Sequence, residues 1–369
     1  MESVSEYDLK AFSPDYRRAR EAFLCAAEAS GARVSSYAHP LRGPEDEVLT
    51  TEVAWLGADD AQTVLVLLCA THGVEGFSGS AAQIDFLTHM KSLPSGVAVL
   101  LVHAVNPHGF AWLRRVTGEG VDLNRNYIDF SRMLPFNDGY DELADAIVPV
   151  SLAAGVIESC DRRLSDYLEA HGSEAYEKAL SAGQYNYPHG LFYGGMQATR
   201  SRLICEKIIS DFRLPVRKRV AVLDFHTGLG PFGYGEPICD HPPKSPGIRL
   251  ARLWYGDSVT EPALGTSSSV VKHGLSDFGW MHLVGEPLVF IALEFGTYSF
   301  DQMKQVLRAD HWLHAQGTVD WHDERTQTIK AAIRKHFYPA TADWQEMVLM
   351  RCRQCIRQAL SGLAAEAGG

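Results

Sequence analysis

The chain has 369 residues, 46% hydrophobic and 21% charged, the balance of a soluble globular protein. Lysine and arginine number 34 against 45 aspartate and glutamate, a net charge of −11 that speaks against nucleic acid as a partner. No stretch is long and apolar enough to span a bilayer, and the acidic N-terminus lacks a signal-peptide core, so no membrane partner and a cytoplasmic location are expected.

An amphipathic helix over 16–32 carries Phe23, Leu24 and Ala27 on its apolar side. Strands at 34–41 and 48–56 flank a Gly43-Pro44-Glu45-Asp46 turn and read as a hairpin. The run 63–69 is apolar throughout, like a buried central strand, and leads into Thr71-His72-Gly73-Val74-Glu75-Gly76. A helix over 78–90, capped by Ser78 or Ser80, follows. His72 and Glu75 therefore occupy a strand-to-helix loop at the C-terminal edge of a parallel sheet, where open α/β folds carry their sites. An imidazole and a carboxylate three positions apart suit one metal ion, although the spacing alone equally fits a polar connecting loop.

Another buried strand spans 96–103, and Asn106-Pro107-His108-Gly109 reads as a turn. The stretch 105–127 is rich in Arg114, Arg115, Asp122, Asn124 and Arg125, the makings of an anion pocket in an acidic protein. Arg125, flanked by two asparagines, suits binding; Arg114 suits a surface ion pair at least as well. The segment 128–215 reads as a long insertion with helical runs at 161–182 and 201–212. Between them a Gly/Tyr-rich loop, 184–195, has the make-up of a wall or lid over a site. A strand over 220–225 leads to His226, with Asp224 on the same face. An apolar strand over 286–295 contains Glu294 near its end, an expensive place for an unpaired acid. Helices are expected over 300–316 and 342–363, the last against the sheet. Seven cysteines, odd in number, read as reduced buried thiols; Cys352-x-x-Cys355 sits in a helical pattern and suits packing.

His72, Glu75, His226 and Glu294 all lie at strand ends. Two neutral imidazoles and one carboxylate form a hydrolytic zinc set that leaves a position for water, one Zn2+ per chain. Glu294 is then the candidate general base, and Arg115 the stabiliser of the oxyanion. Asn124 and Arg125 are candidates to hold a substrate carboxylate, with Arg114 beside them, and Asp122 to accept the N–H of a zinc-bound histidine.

The order His72-x-x-Glu75, Asn106-Pro-His-Gly109, Arg115 to Asp122-Leu-Asn124-Arg125-Asn126, His226 and Glu294 resembles the zinc carboxypeptidase superfamily. That superfamily includes the aspartoacylase and succinylglutamate desuccinylase branch. The combination of Phe225-His226-Thr227-Gly228 with Glu294-Phe295-Gly296-Thr297 is most like an uncharacterised bacterial branch. The resemblance implies a single three-layer α/β/α domain on a mixed, mostly parallel sheet of about eight strands. It also implies zinc on His72, Glu75 and His226, Glu294 as base, and Arg115 on the scissile carbonyl. Asn124 and Arg125 match the pair that binds a terminal carboxylate, and Asp122 the acid orienting the first histidine. The gap from Arg125 to His226 exceeds that of the pancreatic-type enzymes and implies an extra wall. The substrate-contacting tyrosine has three candidates, Tyr193, Tyr234 and Tyr298. The leading expectation is an amide hydrolase acting on a small peptide next to a carboxylate-bearing residue. The alternatives are an N-acyl-amino-acid deacylase, a non-peptide ester hydrolase, disfavoured by the absence of a G-x-S-x-G elbow, and a non-catalytic binding protein.

Overall fold

The computed structural model describes residues 8–368; the N-terminal expectation above falls largely on residues 1–7, outside them. The strands are β1 (Arg33–Arg42), β2 (Val48–Leu56), β3 (Thr63–Leu68), β4 (Val97–His103), β5 (Arg219–Phe232), β6 (Gly235–Ile238) and β7 (Leu288–Gly296). The first helices are α1 (Tyr16–Ala29), α2 (Gly76–His89), α3 (Pro107–Ala111), α4 (Asp138–Ile147), α5 (Ala154–Ser181) and α6 (Arg200–Asp211). They are followed by α7 (Pro246–Tyr255), α8 (Ser276–Val284), α9 (Phe300–Ala315), α10 (Glu324–Phe337) and α11 (Ala342–Ala367).

The described residues form one seven-stranded mixed sheet in the order β1-β2-β4-β3-β5-β7-β6. Its centre, β4-β3-β5-β7, is parallel, and β1, β2 and β6 join antiparallel at the two sides. The expected hairpin is β1–β2, with Tyr37 opposite Thr51. β6 has no sequence signal because Gly235-Glu236-Pro237-Ile238 lacks alternation; a proline-bearing strand is tolerated at a sheet edge.

The period of two sorts β3 between the layers. Leu65, Leu67 and Cys69 pack with Phe23 of α1, Ala81 of α2, Ala251 of α7 and Val348 of α11. Val64, Val66 and Leu68 pack with Ile204 of α6 and Trp280 of α8 on the other face. This is the expected three-layer α/β sandwich, and α11 lies on the sheet as anticipated. Cys352 and Cys355 are buried in it as free thiols. A third cluster joins Leu143 of α4, Leu164 of α5, Leu307 of α9 and Ile333 of α10 around Val74. The segment 128–215 and the α9–α10 pair thus gather at the edge where β3 and β5 end. No described helix is long and apolar enough to cross a membrane.

Two local expectations change. Asn106-Pro107-His108-Gly109 is not an isolated turn: Pro107 opens α3, and Asn106 Oδ1 caps it by accepting from Gly109 N at 2.9 Å. α10 lacked a legible apolar stripe because its buried face mixes Ile329, Ile333 and Phe337 with Thr326, Lys330 and His336.

Candidate metal centre and catalytic cavity

β3 delivers the chain to the site and the loop behind it is held by backbone bonds. Val105 N donates to Cys69 O and Asn106 N to Ala70 O, both at 2.9 Å. Gly73 N donates to Arg115 O at 3.2 Å and Val74 N to Arg114 O at 2.9 Å. This close approach requires Gly73, since a Cβ there would sit 2.0 Å from the Gly109 carbonyl carbon. The short 3-10 turn Gly73–Glu75 then brings the Glu75 carboxylate round to face His72.

His226 arrives from β5, in register with Glu294 on β7. His72 Nδ1 lies 3.0 Å from Glu75 Oε1 and 3.2 Å from His226 Nδ1. His226 Nδ1 lies 3.1 Å from Glu75 Oε2. One ligand atom from each residue falls within 4.8 Å of the others, and all three side chains are buried.

The opposite ring nitrogens face acids. His72 Nε2 lies 3.0 Å from Asp122 Oδ1, and His226 Nε2 is 2.9 Å from Asp224 Oδ2, off the donor axis. Thr71 Oγ1 donates to both Asp224 oxygens, at 2.8 and 3.0 Å, and fixes that carboxylate. Carboxylates beside both Nε2 atoms favour the tautomers with the proton there. In those tautomers both Nδ1 lone pairs point at Glu75 oxygens, and three acceptors share one small volume. That arrangement is repulsive without a cation and fits a metal with one. Burial pushes the Glu75 carboxyl up, but His72 and Arg115 together hold it below its usual range. Burial likewise opposes the Asp122 charge, and Arg115 and His72 outweigh it, keeping Asp122 ionised.

Arg115 bridges the two acids. Its Nε donates to Asp122 Oδ2 at 3.1 Å and its Nη1 to Glu75 Oε1 at 2.6 Å, with the guanidinium 5.5 Å from the Phe192 ring centroid. Glu294 Oε1 accepts from Leu229 N at 3.0 Å, and burial followed by the Glu75 charge raises its carboxyl pKa. Arg125 is held by neutral oxygens: Nε and Nη2 donate to Ser181 O at 3.2 and 2.5 Å, and Nη1 to Asn124 O at 2.7 Å. Burial pulls its pKa down to about 10. Asn124 Oδ1 accepts from Ser276 N at 3.1 Å. One cavity is lined by His72, Arg115, Asn124, Arg125, His226 and Glu294, so six of the ten residues singled out in the sequence share it. Glu75 and Asp122 stand immediately behind, through the contacts above.

Arg114 and Tyr193 are not among the lining residues. Arg114 is buried with Asp310, Nε to Oδ2 at 2.9 Å, so its partner is an interior acid rather than a substrate or a surface charge. Tyr193 is buried and meets the site only through its backbone, accepting from Asp122 N at 2.8 Å, while Phe192 lines the wall. Tyr234 and Tyr298 also lie outside the lining. The expected wall is present: Glu177 and Ser181 at the end of α5 and Phe192 of the Gly/Tyr-rich loop border the cavity. Lys272 and Asp240 border it as well and escaped the sequence reading, since neither stands near a motif or at a legible strand end.

Over residues 12–351 the sequence matches the family described as "Protein of unknown function (DUF2817)". The chain belongs to this family. No curated protein matches it. Among solved structures, this DUF2817 chain is similar to an aspartoacylase family protein from Mesorhizobium loti at 16% identity and TM-score 0.39, covering 78% of this chain and 68% of that one. It is similar to a metallo-carboxypeptidase from Burkholderia cenocepacia at 14% identity and TM-score 0.40, covering 86% and 66%. A murein-tripeptide amidase from Escherichia coli O157 is similar at 16% identity and TM-score 0.35, covering 87% and 98%. The chain thus spans about two thirds of the length of the first two. The roles of its residues rest on its own geometry.

Proposed function

We propose that the protein is a zinc-dependent hydrolase, one zinc per chain, cleaving an amide bond beside a carboxylate-bearing residue of a small peptide or N-acyl amino acid. The observation that carries this is the convergence of three potential ligand side chains, His72, Glu75 and His226, on one point in a cavity that Glu294 also lines. His72 Nδ1, Glu75 and His226 Nδ1 would hold the ion, which when bound supplies Lewis-acid polarisation and a water of lowered pKa.

The chain's own residues supply the rest. Glu294 takes a proton from water as its oxygen bonds to the amide carbon, and passes that proton to nitrogen as the C–N bond breaks. The products are a carboxylate and an amine. Its raised pKa brings the carboxyl nearer to neutrality, where one group serves as both base and acid. Arg115, already oriented by Asp122 and Glu75, turns its remaining N–H groups to the carbonyl oxygen as charge develops there. Asn124 and Arg125 hold the substrate carboxylate and fix the scissile bond against Glu294.

The test is Glu294→Gln, assayed with elemental analysis and with turnover of matched peptides and N-acyl amino acids. Zinc content should stay at the wild-type level while turnover falls by about 10² or more. Full activity in this variant removes Glu294 from the mechanism. Wild-type zinc occupancy in His226→Ala removes the metal site as drawn.

A further inference from the structure

The mechanism leaves three charged cavity residues without a task, Lys272, Asp240 and Glu177. Lys272 is carried by the loop 266–275, which is fixed at both ends. At one end the buried Glu236 of β6 accepts from Ser267 Oγ at 2.9 Å, Ser268 N at 3.1 Å and Ser268 Oγ at 2.5 Å. At the other, Tyr127 N donates to Gly274 O at 3.1 Å, and Ser276 N to Asn124 Oδ1. Gly274 takes φ +72°, and a Cβ there would lie 2.4 Å from the Arg125 carbonyl oxygen. The loop is therefore built to a fixed position against the Asn124–Arg125 pair.

The Lys272 ammonium donates to Ser269 Oγ and makes no ion pair among the described residues. Asp240, just past β6, has neither a hydrogen bond nor an ion pair there. Opposite charges on the walls of one cavity normally close on each other; these two face the same space and stay apart. The separation is unfavourable as it stands. Burial and the Arg125 charge bring the Lys272 pKa down to about 8, and burial brings Asp240 up to about 6. A purely anionic ligand group would satisfy Lys272 and meet Asp240 as a like charge; a purely cationic one would do the reverse. A group bearing both charges satisfies both.

We propose that Lys272 and Asp240 form a specificity subsite for a zwitterionic amino-acid head on the substrate, remote from the scissile amide. Its carboxylate faces Lys272 and its ammonium faces Asp240. Glu177, at the end of α5, also lines the cavity and lies within reach of the Lys272 charge. The proposal rests on the cavity being the substrate site of the hydrolase above. It narrows the substrate class to residues with two amino-acid ends, one for Asn124 and Arg125 and one for Lys272 and Asp240.

The test is calorimetric binding to the zinc-loaded full chain, which does not depend on turnover. The probes are 2,6-diaminoheptanedioate, lysine (no distal carboxylate), 2-aminoheptanedioate (no distal ammonium) and norleucine (neither). Wild-type protein should bind the first about tenfold or more tighter than each of the others. Lys272→Met should reduce its affinity to the level of lysine, and Asp240→Asn to that of 2-aminoheptanedioate. Both variants should leave norleucine within about twofold, and Lys272→Arg should retain the carboxylate's share. Equal wild-type affinities, no measurable binding of any probe, or an advantage that survives in both variants overturns the proposal. If the ranking holds while N-acyl derivatives of the same amino acids are not cleaved, the hydrolase assignment falls and the subsite stands.

Discussion

Replacing Asp310 by asparagine should destabilise the protein strongly, although the residue touches no cavity atom. Asp310 on α9 is wholly buried, with Arg114 Nε 2.9 Å from Oδ2 and Lys330 Nζ 2.5 Å from Oδ1. Lys330 and Arg114 are themselves 1% and 5% exposed, so water cannot replace the lost charge. Asparagine keeps one acceptor but puts an amide N–H₂ against a cation. Removing one partner of a buried ion cluster costs about 3–5 kcal/mol. The retained acceptor places Asp310→Asn near the lower end, about 3 kcal/mol, within the ~5–15 kcal/mol that holds a native domain together. The assay is urea unfolding at neutral pH, read as a shift in midpoint at unchanged slope. Burial opposes the Asp310 charge, but Arg114 and Lys330 hold its carboxyl far below the usual carboxylate range. Its stabilising effect is thus present above the unfolded pKa, near ~4, and is lost as pH falls. The gap between wild type and variant should therefore narrow below about pH 4. A penalty under about 1 kcal/mol, or a gap that does not change with acid, refutes the reasoning.

Three further outcomes follow from the site. Gly73→Ala should abolish zinc retention, measured by elemental analysis, because its Cβ would meet the Gly109 Cα at 2.3 Å and the Phe110 nitrogen at 2.3 Å; normal zinc content would mean the loop can give way. Asp122→Asn should weaken zinc binding by about 10–100-fold in chelator competition, with the circular dichroism spectrum unchanged, and affinity within twofold of wild type would count against its role in orienting His72. Arg125→Ala should raise KM for substrates with a free carboxylate well above that for their amides, whereas equal loss on both would deny Arg125 the clamp.

The layers and the His72–Glu75–His226 cluster were legible because they follow from short-range rules. The apolar run 63–68 reads as a strand buried on both faces, and the residues just past its end fall at the sheet edge. The same rule found His226, and an acid near the end of an apolar strand exposed Glu294. Arg114 was misplaced because its partner, Asp310, lies 196 residues away on a helix of mixed composition, and a buried ion cluster leaves no local pattern. Tyr193 drew notice as an aromatic in a glycine-rich loop, yet its neighbour Phe192, in the turn before it at φ +54°, is the one that borders the cavity. Lys272 reaches the site through a serine-rich loop pinned by Glu236, a tertiary contact between segments that show no periodicity.

Arg125 is tethered by the peptide oxygens of Ser181 and Asn124. A carboxylate in that place would fix the side chain equally well but cancel its field. Carbonyl dipoles immobilise the guanidinium and leave nearly the whole unit charge projecting into the cavity. In a molecule of net charge −11, with Asp122 and Asp240 acting on it, this leaves a localised positive group that a negatively charged ligand can sense on approach. Capture should then slow as added salt shortens the Debye length from about 30 Å at 0.01 M to about 8 Å at 0.15 M, even where the affinity of the docked ligand changes little.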